Sequence, residues 1–391
     1  MRRRLAAVMR DGWRTVFILG ATSLLADVSS EMMTAVLPFL LVAQGASGLA
    51  VGLFGAASET VGNLTKWLGG RWGDRVKHPR LLVASGYFGA GAARVGIALA
   101  TSWWGSLLWR SVDRVGKGLR NAPRDAILSA AVAPQERGRA FGAHRAFDTT
   151  GAFLGVLGAL ALLAWTSLDA SRIVLVAALV GVAAVLPLLF LREPERAAGK
   201  TAQGEGARRG FWTVVGVSCL FALGQASLLF VLLRAGGGGR SEILGAVLWY
   251  LLYNAIYAAA SFPFGAWSDR VGKKAVLGVG FALTGGAQLV FALPTGAAVF
   301  ALGFVGLGLA WAATDATGRA LAAELAGSKT STHLGIYHAL FGLATLAGGL
   351  AGGLVWDRLG QGPFFVATGG AALASCLLWV ALGRRVGTPM A

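Results

Sequence analysis

The chain has 391 residues, of which 55% are hydrophobic and only 14% are charged, and its formal net charge is +17. A soluble globular domain carries about 25% charged residues, so this composition excludes that class and predicts a membrane protein. Such a positive charge could indicate a nucleic-acid partner in a soluble protein, but basic and aromatic residues do not interleave here, and we expect no nucleic acid to bind. Cys219 and Cys376 stand in apolar runs without a partner spacing, so neither a disulfide framework nor a metal site is predicted.

About twelve segments are long and apolar enough to cross a bilayer. The first six spans run near 13–41, 48–70, 80–101, 103–124, 138–165 and 171–192. The second six run near 211–234, 242–266, 274–293, 297–322, 332–355 and 362–384. We therefore predict an all-α membrane protein with a six-helix bundle at 1–192, a linker at 193–210 and a second six-helix bundle at 211–391.

Basic residues mark alternate loops of this arrangement. They cluster at 71–80, 137–139, 192–209, 270–274 and 384–385, whereas the intervening loops hold little beyond Arg172, Arg234 and Arg240. Because cytoplasmic loops carry an excess of Lys and Arg, we expect both termini on the cytoplasmic side of the cell (inner) membrane. The linker is rich in Gly, Ala and charge and has no apolar face, which is typical of a flexible connection.

A short polar sequence occurs twice, each time between two spans. The first copy begins Gly70-Arg-Trp-Gly-Asp74-Arg75, and the second reads Gly265-Ala-Trp-Ser-Asp269-Arg270-Val-Gly272. The two copies occupy corresponding positions in the two halves of the hydropathy pattern, which predicts a duplicated, pseudo-symmetric bundle. We expect these loop residues to act as a gate, since their charges can pair in one conformational state and separate in another.

The repeated sequence resembles the loop signature of the major facilitator superfamily, found between helices 2 and 3 and again between helices 8 and 9. The second copy fits fully, whereas Lys77 replaces a glycine in the first. The resemblance extends over essentially the whole chain. It implies the superfamily fold and secondary transport by alternating access. We expect a monomer in the lipid bilayer that takes a small-molecule substrate and uses no cofactor other than a proton gradient.

Span 1 carries two carboxylates, Asp27 and Glu31, four residues apart and therefore on one helix face. A charged group facing lipid is costly, so both must face protein or a water-filled cavity. Paired buried carboxylates can exchange a proton near neutral pH, which predicts a proton-coupling site. The alternative is that they only pair with cations of span 4 or hold a neighbouring backbone.

Span 4 is the most charged span. Arg110, Asp113, Arg114 and Lys117 form one stripe of a helix, and Asp113 can neutralise one cation locally. The surplus positive charge requires a partner on another helix or a ligand, so we assign the stripe to the cavity. An arginine here resembles the helix-4 motif of proton-coupled exporters, and the run from Asp113 to Asp125 resembles a drug-export-like bacterial subgroup. The resemblance implies that Arg110 or Arg114 faces the central cavity, and we assign Arg124 to the gate.

Other polar residues in the spans extend the predicted site. Arg94 in span 3 needs an anion, for which Asp27, Glu31 and the substrate are candidates. Glu59 either contributes to the cavity or forms a row of mutually bonded polar side chains with Asn63 and Lys66 on span 2.

Spans 5 and 8 carry the remaining candidates. In span 5, Arg145 is a gate candidate that could instead pair with Asp148. In span 8, Tyr253, Asn254 and Tyr257 could line the cavity or only pack. Because ionisable groups concentrate in the first half, we expect coupling there and substrate shape to be read in the second.

These residues predict a proton-coupled exporter, an antiporter of a small organic compound with anionic, zwitterionic or amphiphilic character. A lipid or amphiphile flippase and a metal-ion exporter are the alternatives, although the surplus of Arg and Lys argues against a cationic substrate. The sequence contains no H-E-x-x-H, nucleophile elbow or P-loop, and its four histidines are scattered, so we expect no enzyme activity.

Overall fold

The computed structural model describes residues 2–73, 79–133, 136–191, 210–237, 239–325 and 330–383, and it contains no strand within them. In chain order the helices are α1 (Arg2–Ala43), α2 (Gly48–Gly73), α3 (Pro79–Leu99), α4 (Trp103–Ala131), α5 (Arg137–Trp165), α6 (Ala170–Ala183), α7 (Phe211–Leu223), α8 (Leu228–Ala235), α9 (Arg240–Val271), α10 (Lys273–Ala292), α11 (Ala297–Leu325), α12 (Thr330–Leu359) and α13 (Gln361–Gly383). A 3-10 helix, Leu186–Phe190, follows α6. The predicted all-α class is confirmed.

Ten stretches of the described residues are long and apolar enough to cross a membrane. One of them joins α6 to the 3-10 helix, and another joins α7 to α8. The remaining two of the twelve predicted spans are α2 and α4, whose polar residues lower their hydropathy. The twelve-helix arrangement is therefore confirmed, including the two spans that hydropathy alone does not detect.

Three helices depart from the predicted boundaries. The span near 211–234 is interrupted after Leu223, and Ser227 starts α8 by accepting a hydrogen bond from the Leu229 amide at 3.4 Å. Pro187 lies in the 3-10 helix after α6, because proline lacks the N–H that a continuing helix requires. α4 extends to Ala131 although Pro123 lies inside it.

The chain divides into two compact units. The first comprises Met1–Gln44 and Val61–Lys200, and the second comprises Gly45–Thr60 and Thr201–Ala391, so the division falls inside α2. The predicted linker lies outside the described residues except for Gly210. The boundaries 1–192 and 211–391 stay a prediction.

Each unit repeats the same helix pairings. In the first, α1 packs on α5 and α3 packs on both α4 and α6; in the second, α7 packs on α12 and α10 packs on both α11 and α13. Close backbone approach recurs as well, since a Cβ at Gly155 would lie 2.4 Å from the Val28 carbonyl oxygen and one at Gly348 would lie 2.4 Å from that of Leu223. Small residues permit such contacts between membrane helices. The predicted duplication is thus visible in the packing.

The second copy of the repeated loop sequence forms the junction between α9 and α10. Gly272 has a φ of +89°, a conformation that favours glycine, and the side chains of Asp269 and Arg270 are exposed. Gly265 is an exposed position within α9. In the first copy Gly70 is helical, whereas Asp74 and Arg75 lie outside the described residues.

Candidate functional site

A single buried carboxylate on α4 binds three arginines. Asp113 is 0% exposed, and its Oδ1 accepts from Arg94 Nε and pairs with Arg94 Nη2, each at 3.0 Å. Its Oδ2 accepts from Arg110 Nη1 at 3.2 Å and lies 2.9 Å from Arg114 Nη2. Sequence reasoning assigned Asp113 one local cation. The structure shows that Asp113 contacts three arginines, and because one carboxylate neutralises only one unit of charge, the group keeps the predicted net positive charge.

Arg94 connects four helices through its buried guanidinium. Besides binding Asp113 it donates to Ser29 Oγ at 2.6 Å and to the Ala26 carbonyl at 3.2 Å, and Ser29 in turn donates to the Ala177 carbonyl on α6. The expectation that Asp27 or Glu31 is its acidic partner is therefore wrong. Asp113 takes that place because α3 and α4 lie close together where glycines meet.

Asp27 lies beside the cationic stripe of α4. Its Oδ1 is 3.9 Å from Lys117 Nζ, and the two side chains are 19% and 32% exposed. This pair is longer and more accessible than the contacts around Asp113. Glu31 is half-buried on the same face of α1. The predicted pairing of an α1 carboxylate with a cation of span 4 is thus present, with Lys117 as the cation.

Arg120, which sequence reasoning left out of the candidate site, is a second buried feature of α4. It is 2% exposed, and its Cζ lies 3.7 Å from the centre of the Tyr87 ring. Its Nε and Nη1 have no hydrogen-bond partner. The signal that could have found it is its spacing, because Lys117, Arg120 and Arg124 continue one helix face.

The same end of the first unit carries further polar contacts. Arg124 Nη2 lies 2.8 Å from Asp125 Oδ1, and its Nη1 donates to Ser23 Oγ at 3.5 Å. On α5, His144 Nδ1 lies 3.5 Å from Asp148 Oδ1. His144 was not predicted.

Two other predicted residues, Arg145 and Glu59, have exposed side chains. Arg145 is exposed, and the acid considered for it, Asp148, faces His144. Glu59 is exposed, and Lys66 Nζ donates to Asn63 Oδ1 at 3.0 Å. Of the expected row of bonded polar residues on α2, the structure therefore shows the Asn63–Lys66 contact.

The predicted residues of the second unit form an aromatic ladder on α9. Tyr250 and Tyr253 stack with ring centres 5.7 Å apart, and Tyr253 and Tyr257 stack at 6.3 Å. Asn254 donates to the Tyr250 carbonyl at 3.0 Å, and the Tyr257 hydroxyl donates to Asp315 Oδ2 on α11 at 3.2 Å. Tyr253 and Asn254 are buried and Tyr257 is half-buried, so packing accounts for much of this cluster.

Metal binding receives no support from the described part of the chain, where no group of three His, Cys, Asp or Glu side chains could hold an ion. A partly open cavity of about 110 Å³ lies beside the break between α7 and α8 and is lined by residues that include Leu223, Gly224 and Phe364. It is largely apolar and contains none of the charged candidates.

Comparison with known proteins gives a consistent result. The family model described as Major Facilitator Superfamily matches residues 17–239 and 239–390. An uncharacterized MFS-type transporter of Methanocaldococcus jannaschii is 33% identical over 357 residues, which cover 89% of each chain. An uncharacterized MFS-type transporter of Bacillus subtilis is 24% identical over 73% of each chain.

Solved structures share the fold at low identity. A nucleoside transporter, NupG, has a TM-score of 0.78 at 14% identity and covers 94% of this chain and 99% of its own. A bacterial homolog of the human lysosomal transporter Spinster, inward-facing and occupied, has a TM-score of 0.78 at 16% identity over 96% and 98%. The peptide transporter POT in complex with sulfate has a TM-score of 0.75 at 16% identity over 96% and 95%.

Proposed function

Because the chain belongs to the Major Facilitator Superfamily, we propose that it is a secondary active transporter that couples movement of a small organic compound to a proton gradient by alternating access. Members of this family are multi-pass membrane transporters and in general not enzymes. The proposal adds proton coupling, export, a monomeric state, a cell-membrane location with cytoplasmic termini, and no cofactor other than the gradient. The solved transporters of this fold are named for different substrates, so the fold does not set the cargo.

The Asp27–Lys117 pair is the observation that carries the proposal. The 3.9 Å separation and the partial exposure of both side chains leave the carboxylate open to a proton and the ammonium open to a ligand. Protonation of Asp27 removes the negative charge opposite Lys117, and a bound anion then replaces it. A half-buried, paired carboxylate beside an accessible cation is therefore suited to linking proton and substrate binding.

The charge of the substrate decides whether the proton and the substrate compete for the site or bind to it together. A zwitterion can place its cationic group on Asp27, in competition with a proton, and its anionic group on Lys117. Competition of this kind gives proton exchange, and we propose export of such a compound by antiport. The arginine surplus disfavours a metal ion or another purely cationic cargo.

A second candidate is symport of a proton with a purely anionic compound. The three arginines that share Asp113 give this candidate its support, because they leave the surroundings of Lys117 positive. An anion on Lys117 would take the place of Asp27 and favour its protonation. Proton and substrate would then bind together.

Reconstituted protein in liposomes with an imposed pH gradient tests the proposal. A panel of zwitterionic and anionic compounds is supplied, and an entrapped dye reports proton movement as each compound is transported. We expect Asp27→Asn to abolish gradient-driven flux and Glu31→Gln to reduce it. Exchange without a gradient should weaken in Asp27→Asn if the cargo is a zwitterion bound by this carboxylate, and should continue if the cargo is a pure anion. Opposite directions of proton movement separate antiport from symport.

The matched control is Asp169→Asn. Asp169 is exposed and caps α6 by accepting from the Arg172 amide at 2.8 Å, and asparagine caps equally well. This variant should transport as wild type does. Gradient-driven flux that survives both Asp27→Asn and Glu31→Gln would rule out the coupling assignment.

A further inference from the structure

We propose that Arg120 binds the anionic group of a ligand, a carboxylate or a phosphate, at the end of the α4 stripe. The inference deepens the proposed function and rests on it in one respect, namely that the anionic group belongs to the transported compound. The juxtaposition that supports it is a buried guanidinium without an acidic partner one helical turn beyond Lys117.

Every other strongly buried or half-buried cation of this cluster faces a carboxylate. The arginines at 94, 110 and 114 share Asp113, Lys117 faces Asp27 at 3.9 Å, and Arg124 pairs with Asp125 at 2.8 Å. For Arg120, no carboxylate oxygen of the described residues lies within 4 Å of the guanidinium. It is therefore the exception in an otherwise paired set.

The surroundings of Arg120 compensate its charge only in part. The Tyr87 ring lies 3.7 Å below Cζ and attracts the cation through its π face. Two of its N–H-bearing nitrogens, Nε and Nη1, remain without an acceptor, and the Tyr87 hydroxyl also lacks a partner. A buried charge normally has a partner, and an isolated one strongly destabilises the folded state. An oxyanion would supply the missing acceptor, since guanidinium groups bind carboxylates and phosphates well.

The charges that face this position favour an anion. Lys117 and Arg124 lie three residues before and four residues after Arg120 on α4, and Arg94 approaches from α3. Of the two α1 acids on this face, Asp27 and Glu31, Asp27 is the one whose charge acts on Arg120, and it is engaged by Lys117. Lys117, one turn before Arg120, is 32% exposed and is therefore the accessible neighbour from which a ligand would reach Arg120. A ligand that spans Lys117 and Arg120 would place its negative charge between two cations.

Binding is measured on the full-length protein in a neutral detergent without a pH gradient. The apparent unfolding temperature is recorded while inorganic phosphate, and separately acetate, replaces chloride at constant ionic strength. We expect phosphate or acetate to stabilise the wild type, and Arg120→Gln to raise the half-saturating concentration about thirtyfold or more, the effect of removing one member of a buried charge pair. Arg120→Lys keeps the charge but not the planar donor set and should fall between them.

Two comparisons make the result decisive. Arg172→Gln, at an exposed position, should retain the wild-type shift. Arg120→Gln should leave the unfolding temperature in chloride equal to or above that of wild type, because it removes an unpaired buried charge. If Arg120→Gln fails to fold, or lowers that temperature while keeping the anion shift, Arg120 is structural and the proposal is wrong.

Nanodiscs distinguish the sources of the anion. The wild type and Arg120→Gln are compared in nanodiscs of phosphatidylcholine with and without phosphatidylglycerol. If phosphatidylglycerol stabilises the wild type but not Arg120→Gln, and neither free anion does so, the bound group is a lipid headgroup phosphate. An equal response of the two variants to every anion and lipid overturns the proposal. Because no gradient is applied, the binding test does not depend on coupling, and proton-driven flux that survives in Asp27→Asn with an intact anion shift counts against coupling alone.

Discussion

The two units share their helix pairings but differ in what they bury. Among the described residues, the buried arginine, aspartate and histidine side chains are Arg94, Arg110, Asp113, Arg114, Arg120 and His144, and all belong to the first unit. The second unit buries neutral polar groups such as Thr284 and Gln288. The same helix packing therefore accommodates a charged core in the first unit and a neutral core in the second.

One pair of equivalent helices shows this contrast directly. Between α1 and α3 the contact is polar, because Arg94 donates to Ser29 and to the Ala26 carbonyl. Between α7 and α10 it is aromatic, because Phe221 and Phe281 stack with ring centres 4.3 Å apart. Stacked rings need no partner in an apolar core, whereas a guanidinium requires acceptors. The first unit is thus the more sensitive to loss of a single polar atom.

The largest expected effect comes from breaking the charged core of the first unit. Asp113→Asn leaves three buried arginines without their shared carboxylate, and we expect a loss of about 3–5 kcal/mol in the free energy of unfolding. Titration of detergent-solubilised protein with SDS measures it. Asp269→Asn, at an exposed position of the second unit, is the control and should change stability by no more than about 0.5 kcal/mol. Equal losses in the two variants would remove the contrast between the units.

A smaller effect should appear equally in both units at the close backbone contacts. Gly155→Ala and Gly348→Ala each place a Cβ 2.4 Å from a carbonyl oxygen, and we expect each to cost about 1–3 kcal/mol in the same titration. Gly142→Ala has no neighbouring atom within 4 Å and should be neutral or stabilising by up to about 1 kcal/mol. A loss at only one of the two contacts would show that the packing is not equivalent.

The smallest effect is expected in the second unit. Tyr257→Phe removes the hydroxyl that donates to Asp315 but keeps the stack with Tyr253, and we expect a loss of about 1 kcal/mol. Tyr253→Phe, which keeps both stacking contacts, is the comparison on the same ladder. If Tyr257→Phe destabilises the protein as strongly as Asp113→Asn, a polar network also governs the second unit.

Much of the fold followed from the sequence because span length, hydropathy and duplication are local properties of the chain. Even α4, whose charges lower its hydropathy, was among the predicted spans. The break after Leu223 was not predicted, because Gly224 and Ser227 stand in a run that is otherwise long and apolar enough to be continuous. Apolar composition sets how many residues can span a bilayer but not whether they form one helix.

The candidate site was less predictable because its pairs cross between helices. The spacing on α4 indicated a cationic face, but not that Arg94 on α3 points at Asp113 rather than at α1. Arg120 was overlooked because a stripe on one helix does not reveal which of its members lacks a carboxylate opposite. Such a vacancy appears only after α1, α3 and α4 are packed together.

The interruption of α7 has a mechanical consequence. α1 is one continuous helix, Arg2–Ala43. Its counterpart in the second unit consists of Phe211–Leu223 and Leu228–Ala235, joined by four non-helical residues. Non-helical backbone within a bilayer is tolerated only where protein or water shields it. The first helix of the second unit therefore has a point at residues 224–227 where its two parts can bend relative to each other, and α1 has no such break.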